Sequence, residues 1–240
     1  MSLPDGSQEV FDALVVANGH HWDPQGPDPA PPGRFDGVQF HSHAYRNPRD
    51  PVDLVGKRVV VAGLGNSAVD IATELGSRAV SERVFLAVRR GAWILPKWFM
   101  GTPITRLPQP QNLFPWMPWQ VTSVIMGAVM RLQFGRPQDY GLPRPDHRPL
   151  QSHPTVSQDL LSRIGHGDVA VKPPIREFRG PRVVFEDGSA EEVDAVIWCT
   201  GYRVSFPFFD PAFLEAKDNA VPRWNRPVLP GVAHRFFVGL

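Results

Sequence analysis

Cysteine is nearly missing from this chain: Cys199 is the only one among 240 residues. A single thiol excludes an internal disulfide, a CxxC redox pair and a zinc site built on several cysteines. It fits a reducing compartment, and a cytoplasmic setting is expected. Long apolar runs are lacking too, since none reaches the ~18 residues a membrane-spanning helix needs. The opening MSLPDGSQEVFDALVV has no basic stretch followed by an apolar one, so it does not read as a secretory leader. Excess charge of one sign is absent as well. Lys and Arg number 25 against 24 Asp and Glu, and no long basic run interrupts the chain, which leaves no electrostatic footprint for nucleic acid. Histidines occur in pairs, His20-His21 and His41 with His43, but no carboxylate cluster or second thiol accompanies them. No metal site is expected. There is no internal repeat.

Proline is what the chain has in quantity, 27 residues of it, and it separates ordered blocks from connectors. The apolar, β-branched run over 10–17 predicts a buried strand that stops at Asn18-Gly19. Residues 20–35, HHWDPQGPDPAPPGRF, are expected to lack regular structure, because five prolines remove donors and fix φ. A short apolar strand is expected over 57–62, a helix over 66–79 and a second strand over 84–88. Composition then shifts towards proline and tryptophan over 93–154, with one helix predicted near 120–134. A short helix is expected over 155–164. Residues 182–202 read as strand, Asp-Gly turn and a further strand over 195–199.

The stretch KRVVVAGLGNSAVDIATEL, 57–75, carries the main signal. Gly63, Gly65 and Ala68 fit GxGxxG/A, placed after a strand and opening a helix, where a dinucleotide site requires it. Gly63 permits the tight turn. Gly65 lets the main chain approach a pyrophosphate, and the first amides of the helix, at Asn66, Ser67 and Ala68, face the anion together with the positive end of the helix dipole. Asp70 is either a first-turn carboxylate for that dipole or a solvated side chain. An NAD site usually ends its second strand in Asp or Glu, which bonds the ribose 2′-OH, but here the strand runs into Arg89-Arg90. Two guanidinium groups there favour the 2′-phosphate of NADPH.

A second pattern lies upstream. Phe35, Gly37, His41 and Tyr45 stand as FxGxxxHxxxY, and this resembles the fingerprint of the flavin-containing monooxygenases. VVANGHHWDP, VFLAVRRGAW, HPTVS and FEDGSAEEVDAVIWCTGY follow the family's order of landmarks, with Cys199 where the family commonly has Ala. The resemblance implies an α/β chain: a Rossmann-like NAD(P)-binding domain plus part of an FAD-binding domain. Residues 1–50 are then expected to be a partial FAD-domain segment and inter-domain linker, 51–198 the NADPH domain with its insertion at about 93–154, and 199–240 a return linker and further FAD-domain segment. Phe35 to Tyr45 and Thr200, Gly201 and Tyr202 would be the two linkers. His41 is expected to fix its linker by a hydrogen bond.

The resemblance further implies NADPH and FAD as cofactors, with O₂ and a small nucleophilic amine or sulfide as substrates. In this chemistry NADPH reduces the flavin, O₂ adds to give a C4a-hydroperoxyflavin, and the substrate takes the distal oxygen. No glycine motif for FAD occurs before Lys57, so the chain is expected to be a fragment that binds NADPH weakly and retains no FAD. Its catalytic residues are not legible from the sequence. A Baeyer–Villiger monooxygenase is the nearest alternative, disfavoured by Tyr45-Arg46 at the end of the fingerprint, and a disulfide reductase is excluded by the lone thiol. A non-catalytic NADP(H)-binding module is the alternative of another class. The Trp-, Met- and Ile-rich stretch 112–135 is read as core or substrate-channel packing in preference to an interfacial membrane segment. Oligomeric state and substrate are not legible.

Overall fold

The computed structural model describes residues 6–7, 9–77, 80–99, 101–106, 116–149, 151–152, 154–209 and 235–237. They belong to two compact units, Gly26–Thr200 and the pair of segments Met1–Gln25 with Gly201–Leu240.

The larger unit is built on a five-stranded parallel sheet. Its strands are β4 (Val38–His41), β5 (Arg58–Ala62), β6 (Arg83–Ala87), β11 (Val169–Lys172) and β15 (Ala195–Trp198), in the order β11-β6-β5-β15-β4. Continuous apolar runs such as RVVVA and AVIW are what a strand covered on both faces requires. The period of two then deals side chains to two cores. Val59, Val61, Val84, Leu86, Ala195 and Ile197 join one cluster, whereas Val60, Ala62, Phe85, Ala87, Val196 and Trp198 join the other.

Helix α1 (Asn66–Leu75) covers the first face with Ala68, Val69, Ile71, Ala72 and Leu75. Each fully buried Val, Leu or Ile contributes roughly 1.5–3 kcal/mol through lost apolar exposure. The helix is shorter than expected and stops at Gly76, whose N–H donates to the Ala72 carbonyl at 2.9 Å; positions 78 and 79 lie outside the described residues. A Cβ at Gly76 would fall 2.7 Å from Val169 Cγ2, so the glycine lets the helix end settle on β11.

The second face is covered by a four-stranded sheet, β14-β13-β12-β3, made of β3 (Gly33–Phe35), β12 (Ile175–Gly180), β13 (Arg182–Phe185) and β14 (Ala190–Glu192). Phe178, Val183 and Phe185 point from it into the core. The unit therefore has three layers, helix on parallel sheet on mixed sheet.

This arrangement differs from expectation in the fingerprint region. Residues 35–45 were expected to form an extended linker, yet β3 pairs with β12, β4 pairs with β15, and a 3-10 turn follows at Ser42–Ala44. The mixed sheet supplies the open edge that captures β3, and the hydrophobic Phe35 takes up a core position against it. Gly26 rather than residue 51 opens the compact unit.

The insertion is only sparsely regular. β7 (Ile94–Leu95) pairs in parallel with β10 (Thr155–Val156), and β8 (Trp98–Phe99) pairs with β9 (Thr102–Pro103). Residues 155–156 are thus strand, not the start of a helix, which begins only at α3 (Leu160–Gly165). Helix α2 (Trp119–Phe134) matches the predicted position. Its packing does not match: Thr122, Ser123 and Met130 are buried, whereas Val121, Val124, Ile125 and Leu132 are exposed. The inward face is drawn in by a polar anchor, the Ser123 hydroxyl donating to the Pro149 carbonyl at 2.7 Å. Residues 112–115 of that stretch lie outside the described part.

In the smaller unit β1 (Leu14–Val16) runs parallel to β17 (Arg235–Phe237), and β2 (Asp23–Pro24) runs antiparallel to β16 (Tyr202–Arg203). A two-residue ladder thus appears in the proline-rich stretch expected to lack one, tolerated because a two-stranded edge does not need the donor Pro24 lacks. The Gln25 N–H extends it, donating to the Gly201 carbonyl at 3.0 Å.

Candidate functional site: a glycine cradle at the sheet's switch point

Strand order places β5 at the centre, with β6 and β11 on one side and β15 and β4 on the other. The carboxyl ends of β5 and β15 therefore flank the point where the chain reverses its direction of travel across the sheet, which is where open α/β sheets bind ligands. Gly63 lies there with φ +136°, and a Cβ on it would fall 2.6 Å from the Cys199 carbonyl oxygen. Both the backbone conformation and the contact demand glycine. Its N–H donates to the Ala87 carbonyl at 2.9 Å.

Gly65 differs. Its φ of −79° is ordinary, and a Cβ added to it would meet no protein atom within 4 Å. What it keeps clear is the exposed space in front of the helix. Gly65 is the N-cap of α1, with no side-chain cap and no acidic residue in the first turn. The first intrahelical bond found at this end is Val69 N–H to the Gly65 carbonyl, 3.1 Å, so the amides of Asn66, Ser67 and Ala68 have no intrahelical acceptor. Gly65, Asn66 and Ser67 are exposed while Ala68 is buried. An open, uncapped, positively polarised helix end over a glycine turn can hold an anionic phosphate.

The cradle is braced from the insertion. The Thr155 hydroxyl, buried, donates to the Leu64 carbonyl at 2.7 Å. The Val156 N–H donates to Asn66 Oδ1 at 2.8 Å. The side-chain oxygen of Asn66 is thereby committed to the fold, leaving its main-chain amide for a ligand. Asp70 is held by Lys97 at 3.1 Å, a partner that neither sequence reading of Asp70 included. HPTVS, noticed as a landmark, contributes the brace through Thr155 and Val156; His153 lies outside the described residues.

Arg89 and Arg90 are exposed just beyond β6, on the same carboxyl edge as Gly63. They are not equivalent. Arg90 Nε donates to Asp146 Oδ2 at 3.0 Å, with Nη2 on the same oxygen, while Arg89 has no ion pair among the described residues. Hydrogen bonds from His147 and then Arg90 hold the Asp146 carboxyl down to about 2. Asp146 had no local sequence signal, being 56 residues from its partner.

The fingerprint residues are drawn into the fold of the larger unit. Phe35 packs against Phe178, ring centres 5.2 Å apart. A Cβ on Gly37 would lie 2.7 Å from the Phe35 ring atom Cε1, and Val38 N–H donates to the Asp194 carbonyl beside it at 3.0 Å. His41 Nδ1 accepts from the His43 N–H at 3.0 Å, capping the 3-10 turn and placing the proton of a neutral ring on Nε2. The Tyr45 hydroxyl donates to Glu74 Oε2 at 3.0 Å, tying the end of the fingerprint to α1. Burial and that carboxylate push the tyrosine's pKa upward. Thr200 closes the larger unit and Gly201 and Tyr202 open the return segment of the smaller one; Gly201 has φ +91°, and the Tyr202 ring packs against His21 in a tilted contact, centres 4.9 Å apart.

Among the described residues no three His, Cys, Asp or Glu side chains gather as for a metal ion, and no helix is long and apolar enough to cross a membrane.

Comparison with known proteins converges on one group. A family model described as flavin-binding monooxygenase-like matches residues 4–235. The flavin-containing monooxygenase 5 of Rattus norvegicus is 40% identical over 237 residues, covering 95% of this chain and 43% of that protein. The dimethylaniline monooxygenase [N-oxide-forming] 2 of the same organism is 38% identical over 222 residues, covering 88% and 40%. Among solved structures, the S-allyl-L-cysteine S-oxygenase of Allium sativum superposes with a TM-score of 0.56 at 25% identity, covering 98% of this chain and 39% of that one. The chain thus spans about two-fifths of the length of the curated relatives it matches.

Proposed function

Because the chain belongs to the flavin-binding monooxygenase-like family, we propose that it provides the NADPH-holding unit of an enzyme that oxygenates amine nitrogen or sulfide sulfur with O₂. The observation that carries this reading is the uncapped N-terminus of α1 behind Gly65, open to solvent at the switch point. The substrate class rests on the relatives' names, one N-oxide-forming and one an S-oxygenase.

The residues present fit the coenzyme's shape and charge. The amides of Asn66, Ser67 and Ala68 would take the pyrophosphate, with Gly65 leaving room for it and Gly63 setting the turn. Arg89-Arg90 lie at the strand end where a Rossmann site receives the adenosine ribose, and a guanidinium there suits a 2′-phosphate. When bound, NADPH supplies a hydride and the flavin supplies the oxygen-activating chemistry.

This chain's own contribution is placement. The bonds from Thr155 and Val156 hold the cradle's rim rigid before any ligand arrives, so little ordering cost falls on binding. Among the described residues there is one such cradle, and it lies in the larger unit. Thr200, Gly201 and Tyr202 would lead the chain from the coenzyme unit back to the flavin unit.

Equilibrium titration of the chain with NADPH and with NADH tests the reading. NADPH is expected to bind more tightly than NADH, and Gly65→Ala is expected to weaken binding of both. Absence of binding by either nucleotide would refute it.

A further inference from the structure

The motif RRGAW after β6 divides in space. Arg90, Gly91 and Trp93 all receive one segment of the insertion, residues 143–147, and Arg89 receives none of it. Gly91 is buried and forms a parallel bridge with Pro145. A Cβ there would fall 2.6 Å from the Pro145 nitrogen and 2.5 Å from the Arg144 carbonyl carbon, both main-chain atoms that cannot yield cheaply. Its φ is not in the left-handed region, so the glycine serves the close approach alone. The Trp93 indole N–H donates to the His147 carbonyl at 2.9 Å. Between these two anchors Asp146 is delivered to Arg90, and its other oxygen lies 2.9 Å from His147 Nδ1.

We propose that Asp146 is a specificity-determining positioning residue: it takes Arg90 as a structural cation and leaves Arg89 as the guanidinium that grips the coenzyme's 2′-phosphate. This deepens, and rests on, the assignment of the cradle to NADPH. Both Arg90 donors on the Asp146 side, Nε and Nη2, are spent on one carboxylate oxygen, and the carboxylate cancels most of the charge a phosphate would feel. Arg89 has no ion pair or side-chain hydrogen bond among the described residues, so it brings an unneutralised guanidinium to the same sheet edge. The tandem arginines are therefore not a clamp of two equal halves. One fastens the insertion to the coenzyme domain and the other reads the ligand.

The test uses two probes, 2′,5′-ADP and 5′-AMP, which differ by the phosphate in question, with dissociation constants measured by calorimetry on the chain. Wild type is expected to favour 2′,5′-ADP. Arg89→Ala should lose about tenfold or more of that preference, the size of a charge-assisted phosphate contact, whereas Arg90→Ala should keep it within about threefold. Asp146→Asn should strengthen 2′,5′-ADP binding about two- to fivefold by releasing a screened ion pair, leave 5′-AMP unchanged, and lose that gain when combined with Arg90→Ala. A merely structural role for Asp146 would move both probes together. Equal loss of preference in Arg89→Ala and Arg90→Ala, or an Asp146→Asn effect shared by both probes, would overturn the division of labour while leaving the cradle assignment standing. Failure of wild type to bind either probe would remove the cradle assignment, and this inference with it.

Discussion

The carboxamide oxygen of Asn66 accepts a hydrogen bond from the Val156 amide at 2.8 Å. A residue at the first position of α1 is thus bonded sideways to a strand 90 residues later in the chain, and its side chain is committed while its main-chain amide has no intrahelical acceptor. Asn66→Ala removes the acceptor and should cost about 0.5–1.5 kcal/mol of stability, the usual net worth of such a bond. Asn66→Asp retains the acceptor and adds a negative charge that the helix dipole favours, so stability should be kept. The same charge opposes a pyrophosphate, and NADPH affinity should drop by roughly tenfold. Chemical denaturation alongside nucleotide titration separates the two; an Asp variant that binds NADPH as wild type does would place the phosphate elsewhere.

Tyr45 carries a complementary prediction. Its hydroxyl donates to Glu74 near the end of α1, remote in the chain from the cradle at the helix start. Tyr45→Phe should lower stability by about 0.5–1.5 kcal/mol and leave NADPH affinity within about twofold. A selective loss of coenzyme binding without a stability change would show that the fingerprint acts on the ligand and not on the fold.

What could be read from sequence was what is local. Strand, glycine turn and helix over 58–75 follow from contiguous residues, and the apolar runs of β5, β6 and β15 identify themselves. β3 and β12 do not: GRF carries one charge in three residues and IREFRG three in six, and only the layer behind them buries Phe178 and packs Phe35 against the core. The bracing of the cradle was equally hidden, because Thr155 and Val156 acquire partners 91 and 90 residues away. The resemblance implied a linker over Phe35 to Tyr45, and the spacing that carried it holds no information about which sheet edge is open.

Cys199 follows β15 directly, its N–H donating to the Ala62 carbonyl at 2.9 Å. Burial pushes its thiol up from 9.0 to about 12, against a smaller opposing contribution from Ser42. The thiolate is the reactive form, so iodoacetamide at neutral pH should label the folded chain far more slowly than the urea-unfolded one. The linkage has a definite sign. Below pH 9 the thiol is protonated in both states and contributes nothing to pH dependence. As pH rises from 9 towards 12 the unfolded thiol ionises first, so the folded state loses stability over that window. Cys199→Ala should flatten this part of the profile. Rapid labelling of the native chain would mean that the end of β15 is open to solvent.

Gly63 and Gly65 offer the sharpest contrast, because the sequence motif treats them alike and the structure does not. At Gly63 a methyl group meets φ +136° and the Cys199 carbonyl at 2.6 Å. Neither the backbone angle nor a main-chain atom inside the sheet relaxes cheaply, so Gly63→Ala should destabilise the fold by about 2–4 kcal/mol. At Gly65 the same methyl group meets nothing and the backbone is ordinary. Gly65→Ala should cost under about 1 kcal/mol, the difference between glycine and alanine at an N-cap. Its effect falls on the ligand, since the methyl group occupies the space a pyrophosphate would take. Thermal denaturation should therefore single out Gly63→Ala, and nucleotide titration at a temperature where both variants are folded should single out Gly65→Ala. If Gly65→Ala bound NADPH as tightly as wild type, the space in front of α1 would not be a phosphate site.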